Sequence, residues 1–341
     1  MDELNLSSSD REVRALLVSY DSRPTLRTPV PKSQQPWRRG QKMTLAHIAR
    51  AINEGCGSGH DERYKPWIRV RRRLSSPVSN LYVECLPLYR RGLHLLSRLE
   101  LDAAQLACWL GARSIREQFP MWPWAHPHPG ASQTPDASGR IVKVSGLLEI
   151  AQRAGIAHGV YPGTDIPFVG TIDLLCEVPS GTGTRLVGIA CKPKSKMEGK
   201  GSERVNERLK LEFLYCESIG AFSSVFTDGM LSDRFCGNLD WFTPKFGEFT
   251  RFCGLRNRLE HFAGAFNQDV GWAPIFHCKV RGGAQVGLSD HSQIDAYFKM
   301  AAYRGLIDID FREPIIMSKP LRRDTGHYKK KLYERFFGAP R

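Results

Sequence analysis

Apolar residues recur at the helical period most clearly in GLHLLSRLELDAAQLACWLG, residues 92–111. There Leu95, Leu99, Leu106 and Leu110 form one stripe, Ala103 lies between them, and Gly111 is placed to cap the C-terminus. The same period predicts a helix over 44–52, with Leu45, Ile48, Ala49 and Ile52 on one face, and further helices over 146–154 and 203–219. Strand patterns fall at 68–72, at 80–85, in SIREQFP at 114–120, and in FVGTIDLLCEV and RLVGIACK at 168–178 and 185–192. PSGTGT separates the last two and reads as a hairpin turn. One more strand is predicted over 223–227. This order describes an α/β fold, a mixed sheet flanked by helices. Beyond about residue 240 the pattern shortens to small helices and loops. Residues 292–318 read as a helix followed by two short strands, the outline of a winged-helix element.

Composition narrows what such a fold does. Of 341 residues, 41% are hydrophobic and 25% charged, with a net charge of +14. That excess points to a polyanionic partner, nucleic acid first and an anionic membrane surface second. No apolar run reaches the ~18 residues that span a bilayer, and MDELNLSSSD lacks an apolar signal core, so a cytoplasmic location is expected. The nine cysteines are scattered without a Cys-x-x-Cys pair, which argues against a zinc site or a disulfide framework and for free thiols. Residues 1–40 show no period and are broken by prolines, as in a flexible basic arm. EGCGSGHDERYKPWI, 54–68, is a glycine-rich loop without the GK[ST] ending of a phosphate-binding loop. Its His60, and His126 and His128 in the proline-rich stretch 121–140, are of a metal-ligand residue type, but a loop histidine and a surface loop account for them. Near the C-terminus Arg322, Arg323, Lys329, Lys330 and Lys331 lie close together with little acid among them, and are candidates for DNA phosphate contact.

Candidate chemistry starts with Lys192, an ammonium at the end of the apolar run Ile189-Ala190-Cys191. Burying it is costly unless a partner or a task holds it there. Asp173 is equally out of place in TIDLL, since aspartate is disfavoured inside strands. Folding the hairpin about residues 181–184 brings the two to one end of the sheet, as a structural ion pair or as a metal-and-base site. Phosphodiester hydrolysis needs both groups. Carboxylates hold Mg²⁺, and a lysine orients water or offsets the charge that develops on phosphate. Glu100, one position past Leu99, is either a solvent-facing helix carboxylate or the third group of that site.

A helix glutamate, a mid-strand aspartate and a strand-terminal lysine make up the layout of the PD-(D/E)xK nucleases. Within them the chain resembles the TnsA-type endonucleases of heteromeric transposases. The matching stretches are EGCGSGHDERYKPWI, HLLSRLELDA, IREQFP, TIDLL, CKP, ERLKLEFLY and FTD, in that order, and more loosely YRGLIDIDF toward the C-terminus. The resemblance implies a restriction-endonuclease-like mixed sheet over 41–239, a winged-helix-like domain over 240–318 and a basic tail over 319–341. It implies that Glu100 and Asp173, with the main-chain carbonyl of Cys191, bind Mg²⁺, for which Mn²⁺ can substitute. Lys192 matches the catalytic lysine, and Glu212 of KLEFLY matches a further acidic residue near the site. The implied activity is cutting of the non-transferred, 5′ strand at transposon ends in a bacterial cytoplasm. A TnsB-like transposase cuts and joins the 3′ ends, and the C-terminal domain contacts a TnsC-like AAA+ ATPase. Because the catalytic candidates precede residue 240, a chain ending near Leu239 is expected to keep the nuclease fold. One position departs from the family. Ala190 stands where Glu, Asp or Gln is usual, and Glu212 or Glu177 is expected to compensate. That departure keeps open a catalytically weak DNA-binding adaptor, and a stand-alone restriction-like or repair nuclease is a second alternative, which a neighbouring transposase gene would argue against.

Overall fold

The computed structural model describes residues 42–70, 81–130, 142–181, 183–199 and 201–339; the basic arm expected over 1–40 lies outside them. Helix α1 (Leu45–Asn53) begins where the Thr44 side chain accepts the His47 N–H. Strands β1 (Tyr82–Glu84) and β2 (Leu93–Leu95) pair antiparallel ahead of helix α2 (Arg98–Trp109). The helix expected from residue 92 thus starts at Arg98. Leu93 and Leu95 suit either period, and Ser97 decides between them, because its hydroxyl caps the helix by accepting the Glu100 N–H. The strand expected over 68–72 does not form at 68–70, and 71–80 lie outside the described residues.

The main sheet is built from β3 (Ser114–Met121) and, after the short pair β4 (His126–Pro127) and β5 (Lys143–Val144) and helix α3 (Leu147–Ala154), from β6 (Gly170–Ser180) and β7 (Gly183–Cys191). A one-turn helix, α4 (Lys194–Met197), and helix α5 (Glu203–Ser218) lead to β8 (Phe222–Phe226). The strand order is β3-β6-β7-β8, antiparallel except for β7 beside β8. Helix α2 covers one face, over Ile115, Leu174, Cys176, Val187 and Ile189. Helices α3 and α5 cover the other, over Phe119, Ile172, Leu175 and Leu186. A Cβ at Gly188 would lie 2.5 Å from Cys216 Sγ, so glycine there lets α5 rest directly on β7.

The sheet carries one irregularity that matters for the site. Alternation should keep residues 115, 119 and 121 on one face. Instead Ile115 packs on the α2 side, and Phe119 and Met121 pack on the other. β6 does the same between Ile172 and Leu174. The strand pair turns over at Gln118, whose φ is +48°, and at Asp173 opposite it. The ladder pairs Glu117–Leu174 and Phe119–Ile172 flank this point.

After β8 the chain is helical: α6 (Asp233–Phe242), α7 (Phe246–Cys253), α8 (Arg256–Asn267), α9 (Ile275–Gln285), α10 (His291–Tyr303) and α11 (His327–Phe337). The two strands expected after α10 do not form, so the winged-helix outline is not found. Ile307, Ile309 and Phe311 are buried with polar residues between them, the period-2 pattern visible in the sequence. But Asp310 binds Arg312 in a local turn, and Asp308 accepts the Asp324 and Thr325 N–H groups through its side chain, in place of a ladder. Nor do residues 319–339 hang free as a basic tail. Helix α11 packs on β8, with Phe336 5.5 Å from Phe226, while Arg185 donates to the Gly338 and Ala339 carbonyls. Aromatic rings in contact run from Trp109 of α2 through Phe311 and Phe242 to Phe298. One apolar core therefore spans both sides of residue 240. None of the nine cysteines forms a disulfide. Among the described residues no helix is long and apolar enough to cross a membrane.

Candidate active site

β6 and β7 deliver the first two groups. Continuing the register of the Leu174–Ile189 pair by one residue sets Asp173 beside Ala190, two positions before Lys192. Asp173 Oδ2 accepts the Cys191 N–H at 2.7 Å and Lys192 Nζ at 2.6 Å. Helix α5 brings Glu212, one turn before the Cys216 that touches β7. Its Oε1 lies 3.8 Å from Lys192 Nζ, and its Oε2 is buried without a hydrogen-bond partner. Helix α2 brings Glu100 from the opposite face. Glu100 Oε2 accepts the Leu96 N–H at 2.8 Å and Gln118 Nε2 at 3.1 Å, and Oε1 is 3.4 Å from Ser97 Oγ. Carboxylates from helices on opposite faces can meet here because the sheet turns over at this point. Glu100 is thus buried, and the solvent-facing alternative does not hold.

Burial, reinforced by the Asp173 charge, pushes Glu100 up to about 8. Burial likewise pushes Glu212 up to about 8 against the pull of Lys192. Burial also works against the Lys192 charge, but Asp173 and Glu212 outweigh it and hold the ammonium more firmly than in an ordinary lysine. Three buried carboxylates face one ammonium, and the buried Oε2 of Glu212 has no donor. A divalent cation would make up that deficit of positive charge. Among the described residues no three His, Cys, Asp or Glu side chains gather into a metal cage. Mg²⁺ does not require one, since it binds through one or two carboxylates and keeps several waters. Glu100 and Asp173 suit that requirement. Cys191 ends β7 with its N–H on Asp173, and Ala190, buried, contributes only a methyl group.

Other candidates lie elsewhere. Glu177 is paired with Ser114 further along β6 and is tied to Arg116 Nη2 at 3.3 Å and His60 Nδ1 at 3.2 Å. Of the two residues expected to compensate for Ala190, only Glu212 reaches the site. His126 stacks on Tyr215 and bonds its hydroxyl at 2.7 Å and the Trp124 carbonyl at 2.9 Å. His128 bonds the Ile219 carbonyl and the Gly130 N–H. Both rings are used in packing, and residues 121–128 are largely buried where a surface loop was expected, while 131–141 lie outside the described residues.

Gln118 is the site residue that sequence reading misses. A non-glycine residue in the left-handed region costs about 1–2 kcal/mol, and such strain concentrates at functional sites. Gln118 is buried and held on three sides. Trp67 N–H donates to its carbonyl at 3.2 Å, Thr171 Oγ1 to its Oε1 at 3.1 Å, and its own Nε2 to Glu100. Trp67 belongs to the glycine-rich loop, whose glycines serve close approach: a Cβ at Gly57 would lie 2.4 Å from Pro120 Cγ of β3. Both segments stand out as motifs, but nothing in IREQFP marks its glutamine for a left-handed turn.

The basic candidates divide. Lys329 lies with its Nζ 4.3 Å from the Trp109 ring centroid, and burial pushes its pKa down to about 8. Its ammonium is turned onto that ring at the α2–α11 contact, and the residue is half-buried. Arg323 reaches the Asn267 and Val270 carbonyls at 3.4 Å, and Arg322 lies 3.3 Å from Glu313. Lys330 and Lys331 are exposed on α11, Lys330 within 4.0 Å of Glu334.

Comparison with known proteins bears out the resemblance to TnsA. Over 197 residues the chain is 30% identical to the transposon Tn7 transposition protein TnsA of Escherichia coli. The match covers 57% of this chain and spans 61% of that relative's length. No family model matches the chain.

Proposed function

We propose that the chain is a metal-dependent DNA endonuclease that cuts the non-transferred, 5′ strand at transposon ends, alongside a TnsB-like transposase and a TnsC-like AAA+ ATPase in a bacterial cytoplasm. The observation that carries the reading is the meeting of Glu100, Asp173, Glu212 and Lys192 where the sheet turns over. Glu100 and Asp173, with the Cys191 carbonyl, would hold Mg²⁺ or Mn²⁺. Bound there, the ion polarises the phosphate and acidifies its water. Lys192 keeps its proton, so it acts as a donor rather than a base. It orients the attacking water or offsets the charge that grows on the phosphate oxygens. Glu212, with one oxygen unpartnered, can accept a proton from that water only in its ionised form, which burial disfavours.

The test is a strand-resolved cleavage assay on a plasmid carrying transposon ends, with and without the partner proteins. The 5′ strand should be nicked only with Mg²⁺ or Mn²⁺ present. Cleavage that survives excess EDTA would remove the metal from the account. Cutting of random DNA by the chain alone would favour a stand-alone nuclease, and binding without cutting would favour an adaptor.

DNA affinity gives a separate expectation. Each phosphate neutralised on duplex DNA contributes about −0.9 to the slope of log affinity against log salt. Replacing Lys330 and Lys331 by alanine should flatten that slope by up to about two units, equally on transposon-end and random duplexes because phosphate contacts carry no sequence information. Lys329→Ala should leave the slope alone, since its ammonium lies over Trp109. Anisotropy titrations across a salt series check both, and an unchanged slope in the double variant would take α11 out of the DNA contact.

A further inference from the structure

Glu100 has two oxygens, and its surroundings treat them unequally. Oε2 receives both the Leu96 N–H and Gln118 Nε2, whereas among the described residues Oε1 receives one long hydrogen bond, from Ser97 Oγ at 3.4 Å. The Gln118 amide is itself oriented. Thr171 Oγ1 donates to its Oε1, which turns Nε2 toward Glu100, the orientation in which an ionised carboxylate finds a donor. The backbone of Gln118 is committed as well: φ is +48°, the carbonyl accepts the Trp67 N–H, and the β3–β6 ladder is paired only on either side of it. A straight strand would carry the residue past α2. The left-handed turn brings the amide under the first turn of that helix.

We propose that Gln118 is a positioning residue of the site, which occupies Glu100 Oε2 and so presents Oε1 toward Asp173 and the cation. The inference rests on Glu100 being a metal ligand. Partners that fix a ligand's orientation are worth about 10- to 100-fold in metal affinity when removed. Thr171 acts through Gln118, so its hydroxyl should matter less, and not at all once the amide is gone.

The experiment titrates the purified full chain with Mn²⁺, reading free Mn²⁺ by paramagnetic resonance, for the wild type, Gln118→Leu, Thr171→Val, the double variant and Asp173→Asn. Gln118→Leu should weaken Mn²⁺ binding about 10-fold or more. Thr171→Val should weaken it less, and the double variant should match Gln118→Leu alone, the non-additivity of residues acting through one bond. In the cleavage assay, the Mg²⁺ needed for half-maximal nicking should rise in Gln118→Leu more than the saturated rate falls. Wild-type Mn²⁺ affinity in folded Gln118→Leu, with binding lost in Asp173→Asn, overturns the role of Gln118 and leaves the metal site standing. Should Gln118→Leu fail to fold, Thr171→Val decides, because wild-type affinity there overturns the proposal equally. No Mn²⁺ binding by the wild type, or undiminished binding by Asp173→Asn, overturns the metal-site reading and this inference together.

Discussion

Replacing Lys192 by methionine is expected to lower 5′-strand cleavage by about 10²–10³-fold, the range seen when one donor to a developing oxyanion is removed. Methionine keeps the length of the stem and removes the charge. Asp173 Oδ2 then retains only the Cys191 N–H, and Glu212 loses the cation 3.8 Å away. Because burial already favours the neutral form of Glu100 and Glu212, the carboxylates can take up protons in the absence of Lys192, and the fold should survive. Asp173→Asn should act in the same direction, since it withdraws the charge that pairs with Lys192 and, on the proposed function, a ligand from the cation. Single-turnover nicking, read beside a thermal melt, separates lost chemistry from lost structure. A nicking rate equal to wild type in either folded variant would mean that the reaction takes place elsewhere.

How far the site could be read in the sequence follows from which residues obey simple periodicities. Asp173 and Lys192 were legible because a hairpin fixes its own register, and two charged groups in apolar strands are conspicuous. Glu100 was legible only by its place beside a leucine stripe, and its burial was not, since that depends on the sheet turning over at Gln118. That turn has no signature: glutamine carries no rule for positive φ, and SIREQFP reads as an ordinary strand. The same limit explains the helix placed too early, where Leu93 and Leu95 satisfy both periods until Ser97 caps α2. It explains the missing hairpin after α10, where alternation at Ile307, Ile309 and Phe311 is real but no partner strand is at hand. Lys329 shows the limit of counting charge, since nothing local reveals that this one of three consecutive lysines lies over Trp109.

Ending the chain at Leu239 is expected to abolish cooperative folding, the reverse of what the order of the catalytic candidates along the sequence suggests. Every residue assigned to chemistry would remain, but the core under the sheet would not. Phe242, Phe298, Phe311, Phe336 and Phe337 are all buried in the same cluster as Leu174, Val187 and Ile189 of the central strands. Helix α11 covers β8, the parallel edge of the sheet; its Tyr333 also donates to the Pro179 carbonyl of β6, and Arg185 of β7 donates to the Ala339 carbonyl just past the helix. Phe336→Ala alone, which removes a ring packed 5.5 Å from Phe226, should cost about 3–5 kcal/mol, a large share of the ~5–15 kcal/mol that holds a domain folded. The truncation strips many such rings at once and exposes the strand faces beneath them. Urea unfolding followed by circular dichroism and by aromatic fluorescence checks both changes. Phe336→Ala should keep a single transition at lower midpoint, and the 1–239 fragment should show none. A sharp transition in that fragment would mean that the sheet, with α2, α3 and α5, carries a sufficient core of its own, and that the aromatic chain running out from Trp109 is a contact between independent units.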